Sequence, residues 1–287
     1  MGFGAGRVPQ TASLQERAWA AAEFGATIVA TGPGGNGILI RTEPGPRPVN
    51  AYAYEYAAGY IDPEHRHPRA QLLYGCTGVM TVLTAQGEFV VPPHRAMWLP
   101  AGTGHEVACR VPVSLRTLFV DAAAVPTLPA KCCVIEVSRL LHSLLNEAVQ
   151  LPEDYEMNGR DGRIMSLAID EILAMRALPY SAPLPDDPRL ARICRAIIDE
   201  PALETSLEEL AAAAGMTRHT LTRLFQRETG MSFAAWRQHV RMLEALWRLH
   251  TGQSVTRVAY DIGYKNPSSF AAMFRRAFGT RPSDYYN

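Results

Sequence analysis

Ser206-Leu207-Glu208-Glu209-Leu210-Ala211-Ala212-Ala213-Ala214-Gly215 and Ser254-Val255-Thr256-Arg257-Val258-Ala259-Tyr260-Asp261-Ile262-Gly263 are one unit written twice. Ser206 matches Ser254, Leu210 matches Val258, Ala211 matches Ala259 and Gly215 matches Gly263, all at an offset of 48. Beyond the glycine the offset is 49, so that Thr217 matches Asn266, Leu221 matches Phe270, Phe225 matches Phe274 and Gly230 matches Gly279. The extra residue falls in the second turn, where a loop absorbs it. Each serine caps a helix, and Ser206-x-x-Glu209 is a capping box. Apolar residues at i, i+3, i+4 and i+7 give each helix a buried face. Glycine closes the helix where a positive φ is convenient. Thr217 or Asn266 then caps a second helix, with Pro267 at its favoured first position. Helix, glycine turn, helix is the helix-turn-helix pattern. A lone copy fits many α-hairpins, whereas two copies with matched core positions do not arise so easily.

Charge points the same way. The 287 residues carry a formal net charge of 0, yet 11 Lys/Arg stand against 4 Asp/Glu from Ala211 onward. The preceding residues hold 17 against 24. A basic end on an acidic chain suggests a nucleic-acid module attached to something else. Met1 to Gln10 shows no apolar core of a signal peptide. The uncharged run Phe24 to Ile40 is broken by Gly32-Pro33-Gly34-Gly35-Asn36-Gly37 and cannot cross a membrane as a helix. The 5 cysteines are odd in number and fit no zinc spacing. Free thiols in a reducing cytoplasm are expected.

Residues 1–47 read as a partly disordered extension with a short helix near Leu14 to Phe24. From Pro48 to Asp121 the pattern becomes short strands between Gly and Pro turns: Val49–Tyr56, Gln71–Leu83, Glu88–Val91, Arg95–Leu99, Glu106–Cys109 and Ser114–Val120. A last strand, about 132–137, precedes helices at about 138–150 and 160–178. The stretch Leu178-Pro179-Tyr180-Ser181-Ala182-Pro183-Leu184-Pro185 has three prolines and no charge. It reads as a flexible linker. The expected domains are therefore 48–180, a linker at 181–187, and an all-α module at 188–287.

Within the β-rich part, His65 and His67 alternate along an extended segment, and His105 follows a glycine turn. Two imidazoles on one face and a third that can close on them suit zinc, nickel, copper or iron. The run Gly59-x5-His65-x-His67-x3-Gln71-x6-Gly78, followed by Pro100-x-Gly102-x2-His105, resembles the two motifs of the cupin family. That resemblance implies a double-stranded β-barrel with room for one divalent transition metal, held by His65, His67, Gln71 and His105. Gln71 stands where the motif usually has Glu, Cys109 where it usually ends in Asn, and His94 where Gly is expected. Tyr74, Met97 and Trp98 are the expected lining of an effector pocket.

The closing run Gly263-Tyr264-x4-Ser269-Phe270-x3-Phe274-x4-Gly279-Thr280-x-Pro282-x2-Tyr285 resembles the DNA-binding domain of AraC/XylS-type transcription regulators. The order of domains, with His65-Arg66-His67-Pro68-Arg69-Ala70-Gln71-Leu72-Leu73-Tyr74 in the first, resembles members with a cupin sensor in front. The resemblance implies an α+β multidomain protein: a cupin followed by helices, then an all-α domain of seven helices. Two helix-turn-helix units would be joined by one long helix. A helix of about 19 residues spans ~28 Å at 1.5 Å per residue, which suits recognition helices set about 34 Å apart on one DNA face. Outward residues of the first recognition helix are Arg218, His219, Thr222 and Arg223, with Arg223 the best guanine reader. Those of the second are Ser268, Ala271 and Ala272, with Arg275 and Arg276 set for phosphates.

The expected partners are double-stranded promoter DNA, a small-molecule effector, a second copy of the chain and RNA polymerase, with no membrane. The expected function is a one-component transcription regulator of the cytoplasm, without a catalytic step. Two other readings stay open at this point: a metal-dependent cupin enzyme fused to a DNA-binding domain, and a ligand-free cupin that serves only to dimerise.

Overall fold

The computed structural model describes residues 28–31, 37–40, 45–125 and 127–286. The short helix expected near Leu14 to Phe24 lies outside them. Ile28–Thr31 (β1) and Gly37–Ile40 (β2) form a two-stranded antiparallel sheet. The remaining strands are β3 (Val49–Tyr56), β4 (Tyr60–His65), β5 (Ala70–Thr77), β6 (Met80–Thr84), β7 (Gly87–Val91), β8 (Arg95–Leu99), β9 (His105–Cys109), β10 (Val113–Val120), β11 (Cys133–Glu136), β12 (Ala177–Leu178) and β13 (Ser181–Pro183). They form a six-stranded sheet in the order β12-β11-β8-β5-β10-β3 and a five-stranded sheet in the order β13-β7-β6-β9-β4.

Alternation along each strand sends one set of side chains between the sheets and the other outward. Leu73, Met97, Leu99, Val107 and Leu115 fill the space between the sheets. Leu72, Tyr74, Ala96, Trp98 and Leu118 lie on the outer face of the six-stranded sheet. Helices α1 (Arg139–Ala148) and α2 (Arg160–Ala174) cover that face through Leu141, Leu145, Ala168 and Ile172. Ser138 caps α1, its side chain accepting from Leu141 N at 2.9 Å.

The run read as one strand from Gln71 to Leu83 is two, broken at Gly78. A Cβ there would stand 2.2 Å from Pro112 O, and its φ is +77°, so only glycine turns the chain at this point. His94, which replaces an expected glycine, holds φ 61°, the sole positive φ at a non-glycine position among the described residues. The resemblance thus located a left-handed turn that survives the change of residue.

The segment read as a flexible linker is structured. Ala177–Leu178 pairs with β11 at the edge of one sheet, and Ser181–Pro183 pairs with β7 at the edge of the other. Proline is tolerated at such edges because the missing N–H costs no interior ladder bond. Tyr180, Ala182 and Leu184 are buried, joining the barrel core to the helical core beyond.

That helical part comprises α3 (Pro188–Asp199), α4 (Leu207–Ala213), α5 (Arg218–Thr229), α6 (Phe233–His250), α7 (Val255–Asp261), α8 (Pro267–Phe278) and a closing 3-10 turn, Pro282–Asp284. The resemblance implied seven helices for this part, and its described residues hold six α-helices and this turn. The caps fall where the repeat puts them. Ser206, Thr217, Ser232, Ser254 and Asn266 each accept a hydrogen bond from the third residue onward. Ser206 and Glu209 complete the capping box. Gly215 and Gly263 have φ of 64° and 86° at the matched turns. Phe225 and Phe274 are both fully buried, at matched positions. Among the described residues no helix is long and apolar enough to cross a membrane.

Candidate functional site

Strand β4 carries Tyr60 and Asp62 inward, and a register irregularity follows between Asp62 and His65. Simple alternation would send i and i+3 to opposite faces. The bulge lets both Asp62 and His65 reach the same pocket. His65 lies directly across from His105 of β9 in the sheet register. His67 sits just after β4 and Gln71 on β5, so four neighbouring segments deliver the predicted set to one place. One nitrogen from each of His65, His67 and His105 lies within 4.8 Å of the others. The His65 and His105 ring centroids are 4.3 Å apart, and those of His67 and His105 are 5.3 Å apart.

The three imidazoles share a second feature. Each places Nδ1 beside a backbone carbonyl: His65 at 2.8 Å from Pro63 O, His67 at 2.6 Å from Arg69 O and His105 at 2.9 Å from Thr103 O. Nδ1–H donation fixes the neutral tautomer in which Nε2 carries the lone pair. Metal-binding histidines are held in this way, with the remote nitrogen free to coordinate. His105 Nε2 is buried and has no hydrogen-bond partner among the described residues. Burial pushes the His105 imidazole down to about 3, helped by the neighbouring His65. Burial also lowers His67, against hydrogen bonds from Gln71 and Arg69 that raise it. Desolvation therefore keeps these two rings neutral through the physiological range.

Gln71 is placed as the spacing required. Its Oε1 lies 2.9 Å from His67 Nε2, and its Nε2 donates to Thr117 Oγ1 at 3.1 Å. With Nδ1–H of His67 already donated, Nε2 and Oε1 would be two acceptors facing each other. Turning the amide by half a revolution lets it donate to His67 and accept from Thr117. Gln71 thus orients His67, and as drawn it occupies the direction of that lone pair.

The same cavity is lined by Tyr54, Tyr56, Asp62, Leu73, Val107, Leu115 and Phe119. Asp62 was not anticipated. Its carboxylate is 3.7 Å from His65 Nδ1. Burial pushes its carboxyl up, opposed by His65. It places beside the histidines the carboxyl group that Gln71 lacks. The signal in the sequence was its inward parity with Tyr60. Tyr56 and Tyr60 stack at 4.4 Å, and Phe119 meets His67 edge-on at 5.0 Å. The cavity has a nitrogen-rich end and an aromatic wall.

Tyr74, Met97 and Trp98 do not line it. Tyr74 and Trp98 have the opposite strand parity from Leu73 and point outward beneath α1 and α2. The Tyr74 hydroxyl lies 2.6 Å from His142 Nδ1 on α1, and Trp98 Nε1 donates to Pro129 O at 2.9 Å. Met97 faces between the sheets and packs in the core, outside the lining of the cavity. All three are core residues.

In the helical domain, α5 buries Leu221 and Phe225 and exposes Arg218, His219 and Arg223. Arg218 pairs with Glu208 at 2.7 Å, and both side chains are more than half exposed, so the pair adds little to stability. Thr222 is half-buried and donates its hydroxyl back to the carbonyls of Arg218 and His219, which leaves its lone pairs outward. Arg223 is exposed and has no ion pair among the described residues. On α8, Ser268, Ala272, Arg275 and Arg276 are exposed and Ala271 is half-buried. Arg237 and Arg241, on the polar side of α6, hold loops. Arg237 donates to Thr205 O and Arg241 to Pro201 O, each at 3.0 Å.

Comparison with known proteins adds the following. A family model described as "AraC-like ligand binding domain" matches residues 49–219, and one described as "Helix-turn-helix domain" matches residues 210–287. The HTH-type transcriptional regulator NimR of Escherichia coli K12 is 28% identical over 223 residues, spanning 78% of this chain and 81% of its own. The HTH-type transcriptional regulator RipA of Corynebacterium glutamicum is 36% identical over 103 residues, 36% of this chain and 31% of its own. The solved structure of ToxT from Vibrio cholerae covers 83% of this chain and 98% of its own, at 11% identity and a TM-score of 0.36.

Proposed function

Because the chain belongs to the AraC family of transcription regulators, we propose that its barrel is a metal-dependent sensor that sets the DNA affinity of its paired helix-turn-helix units. The DNA-binding regulator function is that of the relatives it matches, and the alternative of a cupin enzyme falls with them. The further claims rest on this chain's own residues. The observation that carries the metal is the shared tautomer: three Nδ1–H groups are tied to carbonyls, which makes each Nε2 an acceptor; that of His105 is buried without a partner among the described residues, and that of His67 meets the Gln71 amide, which a metal would have to displace. His65, His67 and His105 would hold a single divalent zinc, nickel, iron or copper ion, with Gln71 or Asp62 nearby. Such a cation would offer open coordination positions to an anionic or carbonyl-bearing effector. The wall of Tyr54, Tyr56 and Phe119 suits a partly apolar or aromatic body.

Metal analysis of protein purified without an affinity tag tests this. About one metal per chain, lost in His65→Ala/His67→Ala with the fold retained, supports the reading. Equal and negligible metal in both rejects it, and the cavity is then an organic-ligand pocket.

In this reading Arg223 reads bases from the first unit, while Arg275 and Arg276 grip phosphates from the second. The chain works in the cytoplasm as a homodimer and meets RNA polymerase at the promoter. Leu140, Leu167 and Leu173, on the helices that cover the six-stranded sheet, are 46%, 41% and 38% exposed, which supports an apolar contact between two copies there. Sedimentation of the full chain as a monomer at micromolar concentration would remove the dimer.

A further inference from the structure

The five-stranded sheet turns its outer face to α6. Val90 of β7 and Ala182 of β13 meet Val240, Leu243 and Trp247 around a small cavity, with Thr81, Glu88, Arg110 and Glu244 at its polar side. Arg110 is the residue immediately after β9. Its guanidinium donates to Glu244 Oε2 at 3.1 Å and lies 5.1 Å from the Trp247 ring centroid. The other oxygen of Glu244 accepts from Arg248 Nε at 2.9 Å. Arg248 then donates from Nη1 to Asp261 on α7, at 3.0 Å. Asp261 also stands 3.5 Å from Arg257. These pairs form an unbroken series from the barrel, across α6, to the second helix-turn-helix unit.

We infer that the series Arg110–Glu244–Arg248–Asp261 holds the second helix-turn-helix unit in register with the barrel, with Glu244 as its hub and Arg110 as a positioning residue for DNA binding. Three features single this series out from ordinary surface pairs. The Glu244 side chain is only 12% exposed, so its charge needs both arginines to offset desolvation. Each charged group in the middle has two partners, so a shift at one end is felt at the other. The series also starts on the strand that bears the histidine site. His105 opens β9 and Arg110 follows its end. Five residues at ~3.4 Å each separate them by about 17 Å along a strand hydrogen-bonded on both sides. Displacement of β9 at the sensor end therefore reaches Arg110 without passing through the connecting strands β12 and β13.

This inference rests on the regulator reading of the chain, and a double-mutant cycle separates the two. The variants are Arg110→Ala, Asp261→Asn and both together in the full chain. The probe is a duplex selected from a random-sequence pool by the unaltered protein. Arg110 and Asp261 do not touch, so independent surface residues would act additively. Coupling predicts that each single variant weakens binding roughly three- to tenfold and that the double is no weaker than the worse single. Hydroxyl-radical footprinting should show protection lost at the half-site of the second unit and kept at that of the first. Arg110→Lys should restore it in part, which loss of fold would not permit. Additive effects, or equal loss at both half-sites, overturn the inference. The same cycle read by urea unfolding needs no DNA. If the unaltered chain selects no duplex, the regulator reading fails, and additivity or coupling in urea still decides the ion-pair series.

Discussion

Gln71→Glu restores the carboxylate that the metal-binding motif usually carries, and its effect can be worked from the site. Gln71 is 6% exposed, between His67 and Thr117, with Asp62 lining the same cavity. A carboxylate placed there without metal has Asp62 as an acidic neighbour and loses the amide proton given to His67 Nε2, leaving two acceptors face to face. Thr117 still donates its hydroxyl, so the remaining cost is that of a buried, poorly paired acid. About 1–3 kcal/mol of destabilisation is expected in chelated protein. For a chain of this length that lowers Tm by about 2–8 °C. A bound divalent cation reverses the balance, because the added charge becomes a ligand. Metal affinity should rise by about 10- to 100-fold, the scale on which groups around a metal act. At metal concentrations near 100 times Kd the bound state gains about 2.7 kcal/mol. The assay is thermal unfolding of the unaltered chain and the variant, each with chelator and with zinc or nickel. The variant should be the less stable with chelator and show the larger upward shift with metal. A variant as stable as the parent in chelator, with no larger metal shift, would refute the reasoning about this cavity.

The repeat predicts equal penalties at matched positions: Phe225→Ala and Phe274→Ala, both fully buried, should each cost about 3–5 kcal/mol in urea unfolding. Arg223→Ala should cost about 1–3 kcal/mol at one operator position and relax specificity there, whereas Arg275→Ala should weaken binding across all sequences and flatten its salt dependence. Equal losses on all operator variants would show that the two units share base reading. Glu88 gives a pH signature. Burial, with Asp199 and Glu244 adding to it against Arg110, pushes its carboxyl up to about 7 from 4.5. The folded chain then holds a proton that the unfolded chain releases, so stability is lost as pH rises from about 4.5 to 7 and stays lost above. Glu88→Gln should therefore match the parent near pH 4.5 and exceed it at pH 8 by about 1–3 kcal/mol. A gain independent of pH would mean that Glu88 titrates normally.

The helical domain was legible almost to the residue because its signals are local. A serine cap, a capping-box glutamate and a glycine at positive φ act within one turn, and the repeat doubled each of them. The histidine set was legible for a related reason: alternation and a glycine turn pointed to His65, His67 and His105, and the family resemblance added Gln71. Reading failed where parity and pairing decide. Tyr74 and Trp98 differ from inward-facing Leu73 only by an odd step in register, and nothing local says which face looks inward. Asp62 shares the pocket with His65 through a bulge that no composition announces. Three prolines from 179 to 185 suggested a loose tether, yet edge strands accept proline, and the sheets had edges to offer. Arg110 and Glu244 are 134 residues apart, and only the folded chain brings them together.

The most direct test of the sensor claim is the affinity of the untagged full chain for a selected duplex, measured with zinc or nickel and again with chelator. The account predicts a change of at least about fivefold between the two conditions, the lower bound of useful coupling between sites. It also predicts that this change vanishes in His65→Ala/His67→Ala while binding in chelator is retained. Equal affinity with metal and with chelator in the unaltered chain would contradict it.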